Sequence, residues 1–404
     1  MGANPVRSLV RVPVGALRAA WPQMIGKMKS NRDSIDFSIS PSLSGALDVL
    51  RSLAAFLVVI NHIGEVLFVF DQNLDPFNLF MFQFLYLGHH SVMILFVVSG
   101  FLIGRAAVQC FTKKGQSLFD YGVDRVTRIY VVLIPALIIG FLSDRILLHI
   151  YAGPEFDYVG LRTGWLIFLG NILGLQTIVV PTFGSNGPLW SLACELWYYF
   201  MFPIFLAALL GGSLLRRLVA LVAFVAALFI VSDDILHYGS IWCLGLLCWL
   251  PKRALLPKWL AWVLMIGFLA SANNDWLWAN GWGFPHIAGT ALSVGLIINS
   301  HRHDRAPGKA NGLTFSNFFA KFTYSLYLYH YPPLMIVMAF LLKNDFVPYG
   351  HIGVSEALEM LALLIALYGY SYAWFWVTER KYYEFRDYVR AKAAPLKRFV
   401  ASRA

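Results

Sequence analysis

Arg51 and His62 lie eleven residues apart in the run RSLAAFLVVINH, where Ser52 and Asn61 are the remaining polar side chains. On an α-helix, eleven steps turn the chain by about 1,100°, roughly 20° past three full turns, and advance it by about 16 Å. The guanidinium and the imidazole therefore share one helix face at two depths. If Arg51 marks one edge of an apolar slab, His62 sits near its middle. An arginine at a helix end ordinarily extends to the headgroups, and that reading of Arg51 stays open. A histidine at mid-depth needs a polar cavity or a bundle interior, where ionisable groups serve function by default; a hydrogen-bonded core histidine is the alternative. Imidazole gains and loses a proton near neutral pH, so the chemistry it suggests is proton transfer.

Other positions carry chemistry of the same grade. Arg125 and Arg128, in DRVTRI, fall on one face of any helix that runs through them, and guanidinium forks suit phosphate; ordinary loop charge is the alternative. Glu195 is a lone carboxylate about two turns into an apolar segment. It either pairs with a buried cation or orients His62, holds an arginine or binds hydroxyls. His330, close to Tyr327 and Tyr331, either lines the same cavity as His62 or takes a hydrogen-bonded core position. Gly100 and Gly104 form a small-xxx-small pair, read as a helix-packing face. The adjacent His89 and His90 point apart on a helix, which argues against a metal site there. Cys110, Cys194, Cys243 and Cys248 all sit in or beside apolar runs, so neither a disulfide framework nor a metal site is expected. Glu379 reads as a local ion pair with Arg380 or Lys381.

These residues need elements to hold them, and the composition states which. Hydrophobic residues make up 58% of the 404 and charged ones only 13%, against about 25% charged in soluble domains. The apolar runs reach the roughly 20 residues that cross a bilayer core. The expected fold is all-α, a polytopic membrane protein with spans near 46–69, 91–110, 129–150, 189–210, 214–232, 238–250, 259–274, 285–300, 318–342 and 354–378. Lys and Arg gather after every second span, at 113–128, 216–217, 252–258, 302–305 and 380–392, which puts those loops and both termini in the cytoplasm. The net charge of +10 is then a topology signal rather than a nucleic-acid signal. Residues 164–183 are apolar enough for an eleventh span, but crossing there would reverse every later loop. They are expected as a re-entrant or interfacial helix instead. Residues 1–45 read as a basic cytoplasmic extension, 46–378 as one membrane domain, and 379–404 as a basic cytoplasmic tail.

Five patches resemble, in order, the motifs of the bacterial acyltransferase type 3 family. LDVLRSLAAFLVVINH is similar to its first helix, with a basic residue, ten positions, then histidine. ILFVVSGFLIGR resembles the second-helix motif around Ser99, and DRVTRI the Arg-x-x-Arg pair. PLWSLACELWYYF is similar to the Trp-Ser-Leu-x-x-Glu segment with Trp190, Ser191 and Glu195, and FTYSLYLYHYPPL to the late segment with Tyr327 and His330. The family often has a second acidic residue after that glutamate; here Leu196 follows.

The resemblance implies an enzyme of the bacterial inner membrane that moves an acyl group, most often acetyl, from cytoplasmic acyl-coenzyme A to a hydroxyl of an extracytoplasmic glycan or lipid-linked sugar. On that basis His62 and Glu195 are the catalytic candidates, with His62 as general base. Arg51, Arg125, Arg128 and Ser99 would bind the donor, and Trp190, Ser191, Tyr327 and His330 the acceptor. No metal is implied. The rival reading is a transporter or exporter of a glycan or glycolipid, which shares many helices and intramembrane charges.

Overall fold

The computed structural model describes residues 37–69, 76–112, 117–272, 283–304 and 314–402. The expected N-terminal extension lies outside the described residues up to position 36. The described chain forms α1 (Pro41–Leu67), α2 (Pro76–Leu85), α3 (Gly88–Thr112), α4 (Leu118–Ile150), α5 (Asp157–Leu161), α6 (Trp165–Ile172), α7 (Leu189–Leu210) and α8 (Leu214–Ile230). It continues through α9 (Asp233–Leu247), α10 (Lys258–Ala270), α11 (Gly283–Arg302), α12 (Thr314–Ala320), α13 (Thr323–Tyr329), α14 (Tyr331–Lys343), α15 (Val354–Val377) and α16 (Tyr382–Ser402). Between them are short 3-10 turns at Pro154–Phe156 and Glu379–Lys381.

Each expected span overlaps helix within the described residues, and the protein is an all-α polytopic membrane protein. Among the described residues, six stretches are long and apolar enough to cross a bilayer: α1, α3, α4, α7, the α13–α14 pair, and α15 with its continuation. Helices α8 to α11 fall short of that standard in length or apolarity. Their outward faces are nevertheless apolar: Phe229 is 87% and Val222 68% exposed, side chains that water would reject and lipid accepts.

Three departures from the expected segments bear on the site. Helix α4 starts at Leu118, capped by Ser117, whose hydroxyl accepts from the Asp120 amide at 3.1 Å. Arg125 and Arg128 are thus inside a helix rather than ahead of it. The expected helix 318–342 is broken into α12, α13 and α14, and His330 occupies the junction between the last two. Pro332 and Pro333 supply no amide protons there, which interrupts the ladder after Tyr329. The tail beyond Glu379 is helical as α16 and docks on α4 through Arg390 to Asp124, 2.7 Å.

Residues 164–183 do not form a spanning helix. Helix α6 has eight residues, about 12 Å, and the chain then doubles back through Gly174 and Thr177, both with positive φ. Asn171 ties the loop together, its amide donating to the Ile167 and Pro181 carbonyls while its oxygen accepts from the Phe183 amide. Gln176 donates to the Leu189 carbonyl at 3.0 Å and so fastens the loop to the start of α7.

Helix α3 is the hub, packed on α1, α7, α9 and α11. Its approach to α9 is set by glycines on both sides. A Cβ on Gly100 would lie 1.9 Å from the Trp242 carbonyl oxygen, and one on Gly245 would lie 2.1 Å from that of Val97. These are backbone atoms that no rotamer change can move. Gly100→Val is therefore expected to cost about 3 kcal/mol, read as a lower unfolding midpoint in detergent. Gly122→Ala, inside α4 with open space around it, instead raises the midpoint slightly through a helix-propensity gain of about 0.5–1 kcal/mol.

Candidate active site

His62 projects from the last two turns of α1, five residues before its end, and meets His330 at the α13–α14 break, Nδ1 to Nε2 at 2.8 Å. The second ring nitrogen of His330, Nδ1, lies 2.8 Å from the Leu326 carbonyl. A carbonyl only accepts, so Nδ1 of His330 carries the proton there and, with neutral rings, its Nε2 is the acceptor. The proton between the rings then belongs to Nδ1 of His62. That leaves Nε2 of His62 as a bare lone pair. His330 is 0% exposed, while His62 is half-buried and lines a cavity. The Tyr331 ring meets His62 edge-on at 4.8 Å and braces it.

The cavity that His62 lines has a volume of about 520 Å³ and is walled by residues of α1, α3 and the α7 entry, among them Asn61, Glu65, His89 and Trp190. Asn61 sets the α1–α3 corner: its oxygen accepts from the Gly88 amide at 2.9 Å, and its amide donates to Glu65 at 2.6 Å. His89 stacks on Trp190, with ring centroids 5.7 Å apart, and bonds the Tyr238 hydroxyl at 2.9 Å. His90 turns instead to Thr290, 3.0 Å away.

A second cavity, about 380 Å³, lies toward the Arg51 end of α1. Four arginines line it: Arg51, Arg105, Arg125 and Arg128. Arg51 donates to the Thr323 hydroxyl at 3.2 Å. Glu195 also faces this cavity, accepting from Ser99 at 2.7 Å and from the Tyr199 hydroxyl. Ser99 in turn accepts from the Trp242 indole at 3.2 Å. The two cavities share Val92 and Tyr327 as lining residues, so they abut there, and His62 lines the first of them. Tyr327 and Ser191 bond each other at 2.6 Å and Tyr327 reaches the Pro188 carbonyl at 3.1 Å. Both hydroxyl protons are occupied within that chain, which makes Tyr327 a fixed wall between the chambers.

The family model described as an acyltransferase domain matches residues 44–380, most of the chain. The chain belongs to the acyltransferase type 3 family. It is 26% identical over 191 residues to an O-acetyl transferase of Shigella phage Sf6, covering 47% of this chain and 53% of that protein. It is 28% identical over 229 residues to acyltransferase MdmB of Streptomyces mycarofaciens, 54% of each. A putative peptidoglycan O-acetyltransferase, YrhL, of Bacillus subtilis (strain 168) is 26% identical over 194 residues, 46% of this chain and 27% of that one. The chain thus spans about half the length of the first two relatives. No solved structure matches it.

In this chain the expected site residues divide between the two chambers. His62 and Trp190 line the first, Arg51, Arg125, Arg128, Ser99, Ser191 and Glu195 the second, and Tyr327 both. His330 lines neither and stands behind His62. The group bonded to the His62 imidazole is therefore His330, while Glu195 is held by Ser99 and Tyr199. Glu379 does not form the expected ion pair with Arg380 or Lys381. Its carboxylate accepts from the Ser325 amide at 3.0 Å and hydroxyl at 2.8 Å, and Arg380 instead lies over the Trp376 ring at 3.5 Å. The turn at Glu379–Lys381 swings that carboxylate inward, within electrostatic reach of Arg128 and Arg51. Sequence reasoning passed over Arg105 and Glu65. The signal for Glu65 was available, since it lies three residues after His62 on the same helical face.

The His330→Ala variant leaves the His62 ring N–H without its partner. An unmade buried hydrogen bond costs about 1–3 kcal/mol, so turnover is expected to fall roughly 5- to 150-fold. The pH–rate profile should shift while acyl-donor affinity is unchanged; an unaltered profile would mark His330 as packing only.

Proposed function

We propose that this acyltransferase carries an acyl group, most simply acetyl, from cytoplasmic acyl-coenzyme A to a hydroxyl of an extracytoplasmic glycan or lipid-linked sugar. The observation that carries the reading is the meeting of two chambers of unlike chemistry beside an imidazole with a bare Nε2. The relatives named as O-acetyl transferases support an oxygen acceptor.

A coenzyme A thioester bears several phosphate charges and cannot enter hydrocarbon unneutralised. Arg51, Arg125 and Arg128, joined by Arg105, give the arginine cavity the charge to hold it, and forked guanidinium groups suit phosphate oxygens. The basic loops that mark the cytoplasmic side belong to the same end of the bundle as Arg51, so the donor enters from the cytoplasm of a bacterial inner membrane. Glu195, with Ser99 and Tyr199, anchors one wall of this chamber and balances part of its positive charge.

The acceptor approaches from the opposite side, into the chamber with His62 and Trp190. Nε2 of His62 takes the proton of the attacking hydroxyl as its oxygen bonds to the thioester carbonyl carbon. The imidazolium that forms keeps its Nδ1–H donated to His330 Nε2, and collapse of the adduct expels the coenzyme A thiolate, which takes the proton from His62 Nε2 and returns the imidazole to its neutral form. The acyl group crosses mid-depth; coenzyme A never does.

The assay is release of free coenzyme A from acetyl-coenzyme A in membranes supplied with the acceptor glycan. His62→Ala is expected to lose about 10²- to 10⁴-fold in turnover while donor affinity and membrane insertion persist; near-normal turnover sinks the base assignment. Arg128→Ala is expected to weaken donor binding about tenfold or more. A loss of acceptor affinity with donor affinity intact would reverse the assignment of the two chambers.

A further inference from the structure

The two chambers differ in charge as sharply as in depth. Four guanidinium groups line one. Among the described residues lining the other, Glu65 is the sole side chain that is formally charged at neutral pH with its imidazoles uncharged. Those imidazoles are engaged: His62 with His330, His89 with Tyr238, His90 with Thr290.

Glu65 is also fixed in orientation. Asn61 is 6% exposed, and its oxygen is committed to the Gly88 amide, so its NH2 must face the carboxylate. A Cβ at position 88 would lie 2.7 Å from Asn61 Cγ, so the glycine is what allows this corner to close. One carboxylate oxygen, Oε1, is thereby held, and the exposed remainder of the group turns to the chamber it lines. Glu65 stands one helical turn beyond His62 on the same face, about 4.5 Å further along α1. A ring that offers one hydroxyl to His62 Nε2 thus presents a neighbouring hydroxyl to Glu65. A carboxylate accepts from hydroxyls and donates nothing, and it repels an anion.

We propose that this chamber is a subsite for an uncharged sugar unit, in which Glu65 orients the acceptor through its hydroxyls and turns away glycans whose reacting unit carries a carboxylate, phosphate or sulfate. The cavity volume of about 520 Å³ is in the range of small-ligand sites. The inference rests on the reading of this chamber as the acceptor side.

The test uses the full-length protein in lipid nanodiscs, titrated by calorimetry with two probes of equal length, chitotetraose (uncharged) and tetragalacturonate (anionic). The wild-type protein is expected to bind tetragalacturonate at least tenfold more weakly. Glu65→Gln keeps an acceptor for Asn61 and should narrow the gap to under threefold; Glu65→Lys should reverse the order. Acetyl-coenzyme A affinity, measured on the same samples, should be unchanged in both variants; the unfolding midpoint should be unchanged in Glu65→Gln and lowered in Glu65→Lys, which leaves the Asn61 NH2 without its acceptor. Equal binding of the two probes by the wild type overturns the proposal, as does an order unaltered in Glu65→Lys, or no saturable binding of either probe. Failure of acetyl-coenzyme A to bind, with sugar discrimination intact, would instead strike the donor reading and leave the sugar subsite standing.

Discussion

The hydrogen bond between His62 and His330 is the constraint around which the molecule is arranged. An imidazole in the middle of an apolar bundle must have its ring N–H satisfied, or the group costs free energy that packing does not return. Here the partner is a second imidazole whose own proton is taken by the Leu326 carbonyl. The chain of two bonds ends on backbone, so it fixes one tautomer throughout and leaves the free lone pair on the exposed side of His62. The break between α13 and α14 is what makes this possible. With Pro332 and Pro333 just beyond, the helix cannot run on regularly, and His330 sits at the joint where α13 ends and α14 begins.

Around that pair the charges are sorted by depth. Arg51, Arg105, Arg125 and Arg128 gather on one side of Val92 and Tyr327, and Glu65 stands on the other. Like charges packed together in a poorly hydrated site repel strongly. The inward turn of Glu379 and the anchoring of Glu195 supply compensation from two separate helices. Tyr327, with both its bonds used on Ser191 and Pro188, keeps the partition rigid. On the proposed reading the sorting matches the membrane, since an anionic donor and a hydroxyl acceptor would arrive from opposite faces and need opposite surroundings.

The scaffold holds these groups by close approach rather than by ion pairs. Gly100 and Gly245 let α3 and α9 touch backbone to backbone, and Gly104, whose Cβ would lie 1.7 Å from a Leu246 methyl, extends the same contact. Such packing matters in lipid, where apolar side chains gain little by leaving one apolar medium for another. The loop after α6 serves the His62 chamber in a similar way. Its bond from Gln176 to Leu189 sets where α7 starts, and with it the position of Trp190.

Local sequence determined much of this protein. Apolar runs that can satisfy their own backbone only as helices dictate an all-α membrane fold, and an eleven-residue spacing puts Arg51 and His62 on one face whatever surrounds them. The Gly100–Gly104 stripe announces a tight contact, and three-residue steps place Arg125 with Arg128 and His62 with Glu65. Partners were beyond its reach. Nothing along α1 states that the imidazole's proton goes to a residue 268 positions away, that Glu195 belongs with Ser99 and Tyr199, or that Glu379 turns from its neighbours Arg380 and Lys381 to Ser325. Helical periodicity fixes which side chains share a face, because it depends on backbone geometry alone. Which face meets which, and so which proton finds which acceptor, is decided only when the helices pack.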